Sequence, residues 1–400
     1  MSLDSVQDLV MPGVPSLDDR RHWWRSLRLR LAWRNLSQDR VRFGSTIAGV
    51  TFSVILMAIQ TALLLGFAST AATLIDRGDA DFWIAAVGAR DVDQSGEIAA
   101  RLRYLALDVP DVASAQELVV RFVPLKRPDG GTELVIVVGT DVDNTLLKPW
   151  NVVDGSVEDL RRPNGVIVDK LYAAKLGVSR IGDTVEVNGH RARIVGFTRG
   201  VRTFTQAPYV FTSLENAKTF AGIDGKNTIY LLVKARARAD LRAVHDGLAA
   251  RFPNLDVWTA PNFAWQTMRY WLATTGAGAA LILASVLGLV VGTITVAQTL
   301  YATTMERLSE YAALRAIGAP ARYLYAVILN QAMFSAVIGY TAGMACAELA
   351  VYAARNSNVA LLLPPWLAMG VAVLTAVMCA GAAIISIRRA VNADPAMVFN

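Results

Sequence analysis

The sequence predicts an α-helical membrane protein of four spans, arranged one plus three around a large α+β extracytoplasmic domain. Three observations carry that class. Apolar runs at 44–68, 274–303, 323–353 and 364–387 each exceed the ~20 residues that an α-helix needs to cross a bilayer core. Residues 69–273, between the first run and the second, are water-soluble in character and alternate strand-like with helical segments. The arginines outside the large domain gather on one side of the proposed spans. A hydrophobic content of 54% and a mean hydropathy of +0.38 are high for a soluble protein, so the runs read as spans rather than buried core.

Residues 1–19 read as a disordered tail. Residues 20–43 form an amphipathic elbow: Trp23, Trp24, Leu27, Leu31, Trp33 and Leu36 supply apolar area, and Arg28, Arg34 and their neighbours supply charge. Such a helix lies in the headgroup plane with Trp and Arg as anchors. The competing reading is a cytosolic helix packed on a partner. The stretch 20–42 holds eight arginines against the single acid Asp39, which places the N-terminus in the cytoplasm. Four spans return the C-terminus, residues 388–400 with Arg388 and Arg389, to the same side. The loop at 304–322 carries Arg307, Arg315 and Arg322 and is then cytoplasmic; the loop at 354–363, with Arg355 alone, is outside. Arginines beside a span meet anionic lipid, and nucleic-acid binding is the weaker alternative. The first span is too long for a signal peptide and follows about forty residues. Cys346 and Cys379 both fall inside spans, so the large domain must rest on its core without disulfides.

Within 69–273, the segments 81–87, 119–125, 134–139, 228–234 and 256–259 read as strands, and 97–107 and 240–252 as helices. Two βαβ-like units thus bracket a mostly β segment at 140–226. Inside it, 184–187 and 191–197 flank Asn188-Gly189, the strongest short signal for a hairpin with a type I′ turn. The aromatic-rich stretch 262–273 (Phe263, Trp265, Tyr270, Trp271) reads as a helix running without a break into span two.

The chemistry in the chain is sparse. No G-x-x-x-x-G-K-[ST] loop occurs; Gly222-Ile223-Asp224-Gly225-Lys226-Asn227 has the wrong spacing. His22, His190 and His245 are scattered, and neither H-E-x-x-H, a paired-Cys pattern nor G-x-S-x-G is present. Nothing favours an enzyme, and no catalytic, cofactor or metal residue is assigned. Three features remain. Residues 306–320, Glu306-Arg307-Leu308-Ser309-Glu310-Tyr311-Ala312-Ala313-Leu314-Arg315-Ala316-Ile317-Gly318-Ala319-Pro320, form a short helix with a Gly-x-Pro stop, marginal alone and in need of a docking surface. The other reading is a solvated connector. Gly288/Gly292 in span two and Gly339/Gly343 in span three are G-x-x-x-G pairs, suited equally to packing within the chain and to dimerisation. Gln60, Gln298, Asn330, Gln331 and Glu348 are polar residues within spans; Glu348 sits near an outer end, and a structural or interfacial role outweighs proton or substrate transfer.

These features resemble the permeases of the MacB/FtsX/LolC group of ABC systems, most of all the DevC branch. The resemblance is carried by Leu31-Ala32-Trp33-Arg34-Asn35-Leu36, by 40–57, by the Glu306–Ala319 segment, which is similar to the branch's EYATLKAMG loop, and by Ala393-Asp394-Pro395-Ala396. It covers about 20–70 and 265–400. It implies a split βαβ porter-like region with a β-rich insertion, and a homodimer in a bacterial inner membrane. It also implies a separate ATPase subunit that binds ATP and Mg and docks at Glu306, Arg307, Glu310, Tyr311, Arg315 and Gly318. A periplasmic membrane-fusion adaptor and an outer-membrane duct complete the implied assembly. The expected function is ATP-driven export or extraction of a lipid, glycolipid or other amphiphile by mechanotransmission. The alternative is a signal transmitter that activates a periplasmic partner such as a cell-wall hydrolase.

Overall fold

The computed structural model describes residues 40–143, 146–205, 207–306, 321–357 and 359–392. The chain divides into two compact units. One holds 60–285 and 349–363; the other holds the remaining parts of the spans.

Among the described residues, four helices are long and apolar enough to cross a membrane: Phe43–Ala71, Gly276–Glu306, Tyr325–Ala353 and Pro365–Ile385. The first belongs to a helix that runs from Arg40 to Ala71, three residues past the expected end. The second starts at Gly276 rather than 274 and is still helical at Glu306, past the expected end at 303.

The described residues of the large domain form twelve strands: β1 (Phe82–Ala86), β2 (Ile98–Ala99), β3 (Val112–Lys126), β4 (Thr132–Thr140), β5 (Val152–Asp154), β6 (Gly165–Asp169), β7 (Thr184–Val187), β8 (His190–Thr198), β9 (Tyr209–Ser213), β10 (Asn227–Thr228), β11 (Tyr230–Ala235) and β12 (Leu255–Thr259). The order β12-β1-β11-β3, antiparallel at each step, makes β1 parallel to β3 across β11 and β11 parallel to β12 across β1. With crossover helices Leu102–Leu107 and Leu241–Arg251, these are two interlocked split βαβ units, a ferredoxin-like sheet. The helix expected over 97–107 is shorter, because Ile98 and Ala99 pair with Thr228 and Asn227 instead.

The segment inserted between β3 and β11 closes on itself. β3 pairs with β4, β4 with β9, β9 with β6, β6 with β8, β8 with β7, and β7 with β3. This is a six-stranded ring, and closure removes the free edges a flat sheet would expose. β3 is long because it serves twice. Val112–Leu118 face β11 in the ferredoxin-like sheet, and Leu118–Lys126 face β4 in the ring. Asn188 and Gly189 turn β7 into β8 with φ of 48° and 82°, as the hairpin signal requires.

Side-chain alternation on β1 divides the core. Phe82 and Ile84 join Ala106, Val244 and Leu248 under the two crossover helices. Trp83 and Ala85 point the other way, to Leu74 and Ile75 just beyond span one and to Phe263 of the helix that precedes span two. Trp83 lies 5.5 Å, ring to ring, from both Tyr230 and Phe263. The sheet is therefore covered on one face by its own helices and on the other by the chain segments that enter and leave the membrane spans.

Candidate functional site

The site of interest is the junction at which the large domain meets the span ends. Its first member is the helix Ala260–Ala273, which carries Pro261 in its first turn. This helix does not continue into span two as the sequence reading expects. It stops at Ala273, and span two begins at Gly276. The break has a chemical cause. The Thr275 hydroxyl donates to the Trp271 carbonyl at 2.6 Å and accepts from the Gly278 amide at 3.1 Å, ending one helix and capping the next. A β-carbon at Gly278 would fall onto the Trp271 carbonyl, so only glycine permits the bend.

The second member is the loop 199–205 between β8 and β9. Asp169, buried at the end of β6, holds its start. Oδ2 accepts from the Thr198 hydroxyl and from the Val201 amide, both at 2.8 Å, and Oδ1 accepts from the Leu171 amide at 2.9 Å. Thr203 closes the loop by donating from its hydroxyl to the Ala207 carbonyl at 2.8 Å. Phe204 then stands with its ring 4.2 Å from Trp271 and 5.6 Å from Phe67 of span one. Arg202 reaches the end of span three: Nε donates to the Ser357 carbonyl at 3.0 Å, and Nη2 to the carbonyls of Ala354, at 3.4 Å, and Arg355.

The third member is the loop between spans three and four. The Leu362 amide donates to the Ala62 carbonyl at 3.0 Å. Gly66 meets the backbone of Ala360 so closely that a β-carbon has no room. Spans one and two are tied nearby by the Thr61 and Ser285 hydroxyls at 3.4 Å. None of Arg202, Phe204 or Asp169 carries a sequence motif. Their signal is tertiary, and a single sequence does not display it.

In the other unit, span three receives span one on its two glycines. A β-carbon at Gly339 would lie 2.6 Å from Val50, and one at Gly343 2.8 Å from Val54. Gly292 faces Met57 and Ser53 of span one, and Gly288 is buried. The Thr46 and Thr303 hydroxyls meet at 3.0 Å. Gly292, Gly339 and Gly343 thus make contacts within the chain. Glu306 is the last described residue of span two and is exposed; Glu348 is exposed as well. Arg307, Glu310, Tyr311, Arg315 and Gly318 lie outside the described residues, as do Trp23, Trp24, Arg28, Trp33 and Arg34.

Among the described residues, no cluster of His, Cys, Asp and Glu is arranged to hold a metal ion. A buried acidic pair, Asp91 and Asp93, follows β1. Burial pushes the Asp93 carboxyl up to about 8, with the Asp91 charge adding to the shift, and burial pushes Asp91 up to about 6 against two backbone amides that lower it. Neither oxygen of the Asp93 carboxyl has a hydrogen-bond partner.

A family model for the MacB-like periplasmic core domain matches residues 43–251, just over half of the chain, and one for the FtsX-like permease C-terminal matches 282–395. An uncharacterised ABC transporter permease of Mycobacterium tuberculosis is 25% identical over 373 residues, spanning 92% of this chain and 98% of its own. Another, from Mycobacterium bovis, is 24% identical over 354 residues, spanning 88% and 93%. Among solved structures, the periplasmic region of MacB from Actinobacillus actinomycetemcomitans matches with a TM-score of 0.36 at 12% identity, covering 50% of this chain and 97% of that one. The extracellular domain of the noncanonic ABC-type transporter YknZ from Gram-positive bacteria matches with a TM-score of 0.34 at 12% identity, covering 45% and 99%. On the two family models, this chain belongs to the MacB/FtsX group of ABC transporter permeases.

Proposed function

We propose that the chain is the permease subunit of an ATP-driven export system that works by mechanotransmission. A separate ATPase, carrying ATP and Mg, docks on the segment 306–318 at the cytoplasmic face of a bacterial inner membrane. Two copies of the chain assemble. Closure of the ATPases moves spans one and two, and the large domains move with them. The cargo is a lipid, glycolipid or other amphiphile, passed to a membrane-fusion adaptor and an outer-membrane duct. Placement in the DevC branch rests on the loop and terminal motifs at 31–36, 306–319 and 393–396.

The observation that supports this reading is the seating of the span ends. Leu74 and Ile75 after span one, and Phe263 before span two, are fully buried in the core of the ferredoxin-like sheet. Packed cores transmit displacement because they have few voids to absorb it. A domain hung on flexible linkers would not couple in this way. The test is purification of the intact chain from its own host, with co-purifying proteins identified and ATPase activity assayed. An ATP-hydrolysing subunit, with no hydrolysis by the chain alone, is the expected result. Hydrolysis by the isolated chain, or the absence of any ATPase, overturns the reading. An adaptor in the same eluate favours export, and a cell-wall hydrolase favours the signalling alternative.

A further inference from the structure

We infer that Arg202 is a positioning residue for coupling: it latches the loop between spans three and four to the β-ring, so that this loop and the ends of spans one and two move as one piece. The inference rests on the mechanotransmission reading and adds to it a third attachment, through span three.

The carbonyls that Arg202 engages belong to the short turn Ala354–Asn356 that follows the helix Ala321–Ala353 and to Ser357 just beyond it. That of Ala354 also accepts from the Ser357 amide and hydroxyl, whereas carbonyls past a helix end have no helical partner and lie at the negative end of its dipole. A guanidinium satisfies several at once, because its donors form a rigid fork and its charge persists at any working pH. Lysine, a point charge on a flexible stem, does not reproduce that geometry.

The ring end of this latch has little slack. Val201, the residue before Arg202, is fixed by the buried Asp169 carboxylate, and Thr203, the residue after it, is fixed to Ala207. Phe204 is wedged between Phe67, at the end of span one, and Trp271, on the helix that precedes span two. The far end of the latched loop returns to span one, through Leu362 on Ala62 and Ala360 against Gly66. The contacts thus form a closed circuit from the ring through Arg202, residues 354–362, span one and Phe204 back to the ring. Removing Phe204 would cut into apolar packing. Removing the Arg202 guanidinium opens the circuit at a half-exposed position and leaves the cores intact.

The test is hydrogen exchange on the full chain in lipid nanodiscs, first without nucleotide. Arg202→Ala should raise exchange in both 354–363 and 199–205 by about tenfold, the loss of a charge-assisted bond, while β1, β11 and β12 stay as in wild type. No change in 354–363 overturns the latch. In the complex with its ATPase, ATP with vanadate should alter exchange in 199–205 and 354–363 together in wild type, and in neither together in Arg202→Ala. Arg202→Lys should not restore the response. In a background with Cys346→Ser and Cys379→Ala, joining Arg202→Cys to Ser357→Cys by a short bis-maleimide should restore it. A wild-type nucleotide response in Arg202→Ala, or none after cross-linking, overturns the inference. Failure to recover any ATPase counts against the transporter reading, whereas the nucleotide-free exchange judges the latch by itself.

Discussion

Gly343 of span three lies against Val54 of span one, with room for a hydrogen but not for a carbon: a β-carbon there would stand 2.8 Å from the valine side chain. One turn earlier, Gly339 receives Val50 in the same manner. In lipid no hydrophobic force drives helices together, so close backbone approach and van der Waals contact supply the association. Gly343→Leu should therefore destabilise the span packing by about 1–3 kcal/mol, the usual cost of overfilling a packed site. Gly370→Leu, at an exposed position of span four with nothing within 4 Å, should be neutral. Thermal unfolding in detergent, followed by tryptophan fluorescence, compares the two. Equal melting of both variants with wild type would remove the helix-seat assignment.

What the sequence displayed and what it hid follow one division, between local and long-range signals. The spans were legible because twenty apolar residues in a row have a single economical use. The Asn188-Gly189 turn was legible because two consecutive positive φ angles demand those residue types. The alternation of strands and helices showed the two βαβ units. The ring did not show, because β7 closes it by pairing Leu125 and Lys126 with Val187 and Glu186, far apart in sequence. The break at 274–275 was hidden inside a stretch of good apolar character, where one threonine hydroxyl decides the matter. Of the site, the glycine pairs were visible as a pattern but not as to partner, and Arg202 and Phe204 carried no pattern at all.

The Asp91/Asp93 pair makes stability depend on pH. Asp93 is neutral in the folded chain up to about pH 8, whereas an unfolded aspartate releases its proton near pH 4. Between those values the folded state holds a proton that the unfolded state has lost. The stability this group contributes is thus complete below about pH 4 and is lost as pH rises through about 8. Asp91 acts in the same sense up to about pH 6. Asp93→Asn keeps the shape without the charge, so wild type should lose melting temperature from pH 5 to pH 8 and the variant should lose less. Parallel slopes for the two proteins would contradict the buried neutral acid.

Asp169 should prove structurally expensive to remove. Asp169→Ala orphans the Val201 amide, the Leu171 amide and the Thr198 hydroxyl, and a buried group left unpaired costs about 1–3 kcal/mol. Asp169→Asn keeps one acceptor oxygen and should lie between. Chemical denaturation of the detergent-solubilised chain ranks the three. An alanine variant as stable as wild type would mean that the loop 199–205 is held by other contacts.

The positive-inside argument gives a direct labelling test. In a cysteine-free background, single cysteines replacing Asn188 and Ser309 should react with an impermeant maleimide from opposite faces of the membrane. Asn188 lies in the turn between β7 and β8, and Ser309 belongs to the arginine-bearing segment after span two. Whole cells should label the first alone, and inverted vesicles the second alone. Reaction of both from one face would refute the topology and, with it, the cytoplasmic docking of an ATPase.

The segment after span two is where the ATPase reading meets its sharpest test. Glu310 and Arg315 lie in a short mixed sequence that needs a docking surface to hold a helix, and both can form charge-assisted bonds across a protein interface. Glu310→Lys reverses one of those charges in a segment outside the large domain in sequence. Removing one partner of a buried charged pair costs roughly 2–5 kcal/mol of binding, whereas a rim pair changes little. At the upper end of that range, ATPase association falls below what purification retains. Ala313→Trp adds bulk to the same segment and should act alike through shape rather than charge. Both variants should reach the membrane at normal levels and lose the co-purifying ATPase. Asn356→Lys is the control: Arg202 engages this loop through backbone carbonyls, so a new side chain there leaves the contact in place. Wild-type ATPase recovery in both Glu310→Lys and Ala313→Trp would make the segment a connector between spans and move the docking surface elsewhere on the cytoplasmic face.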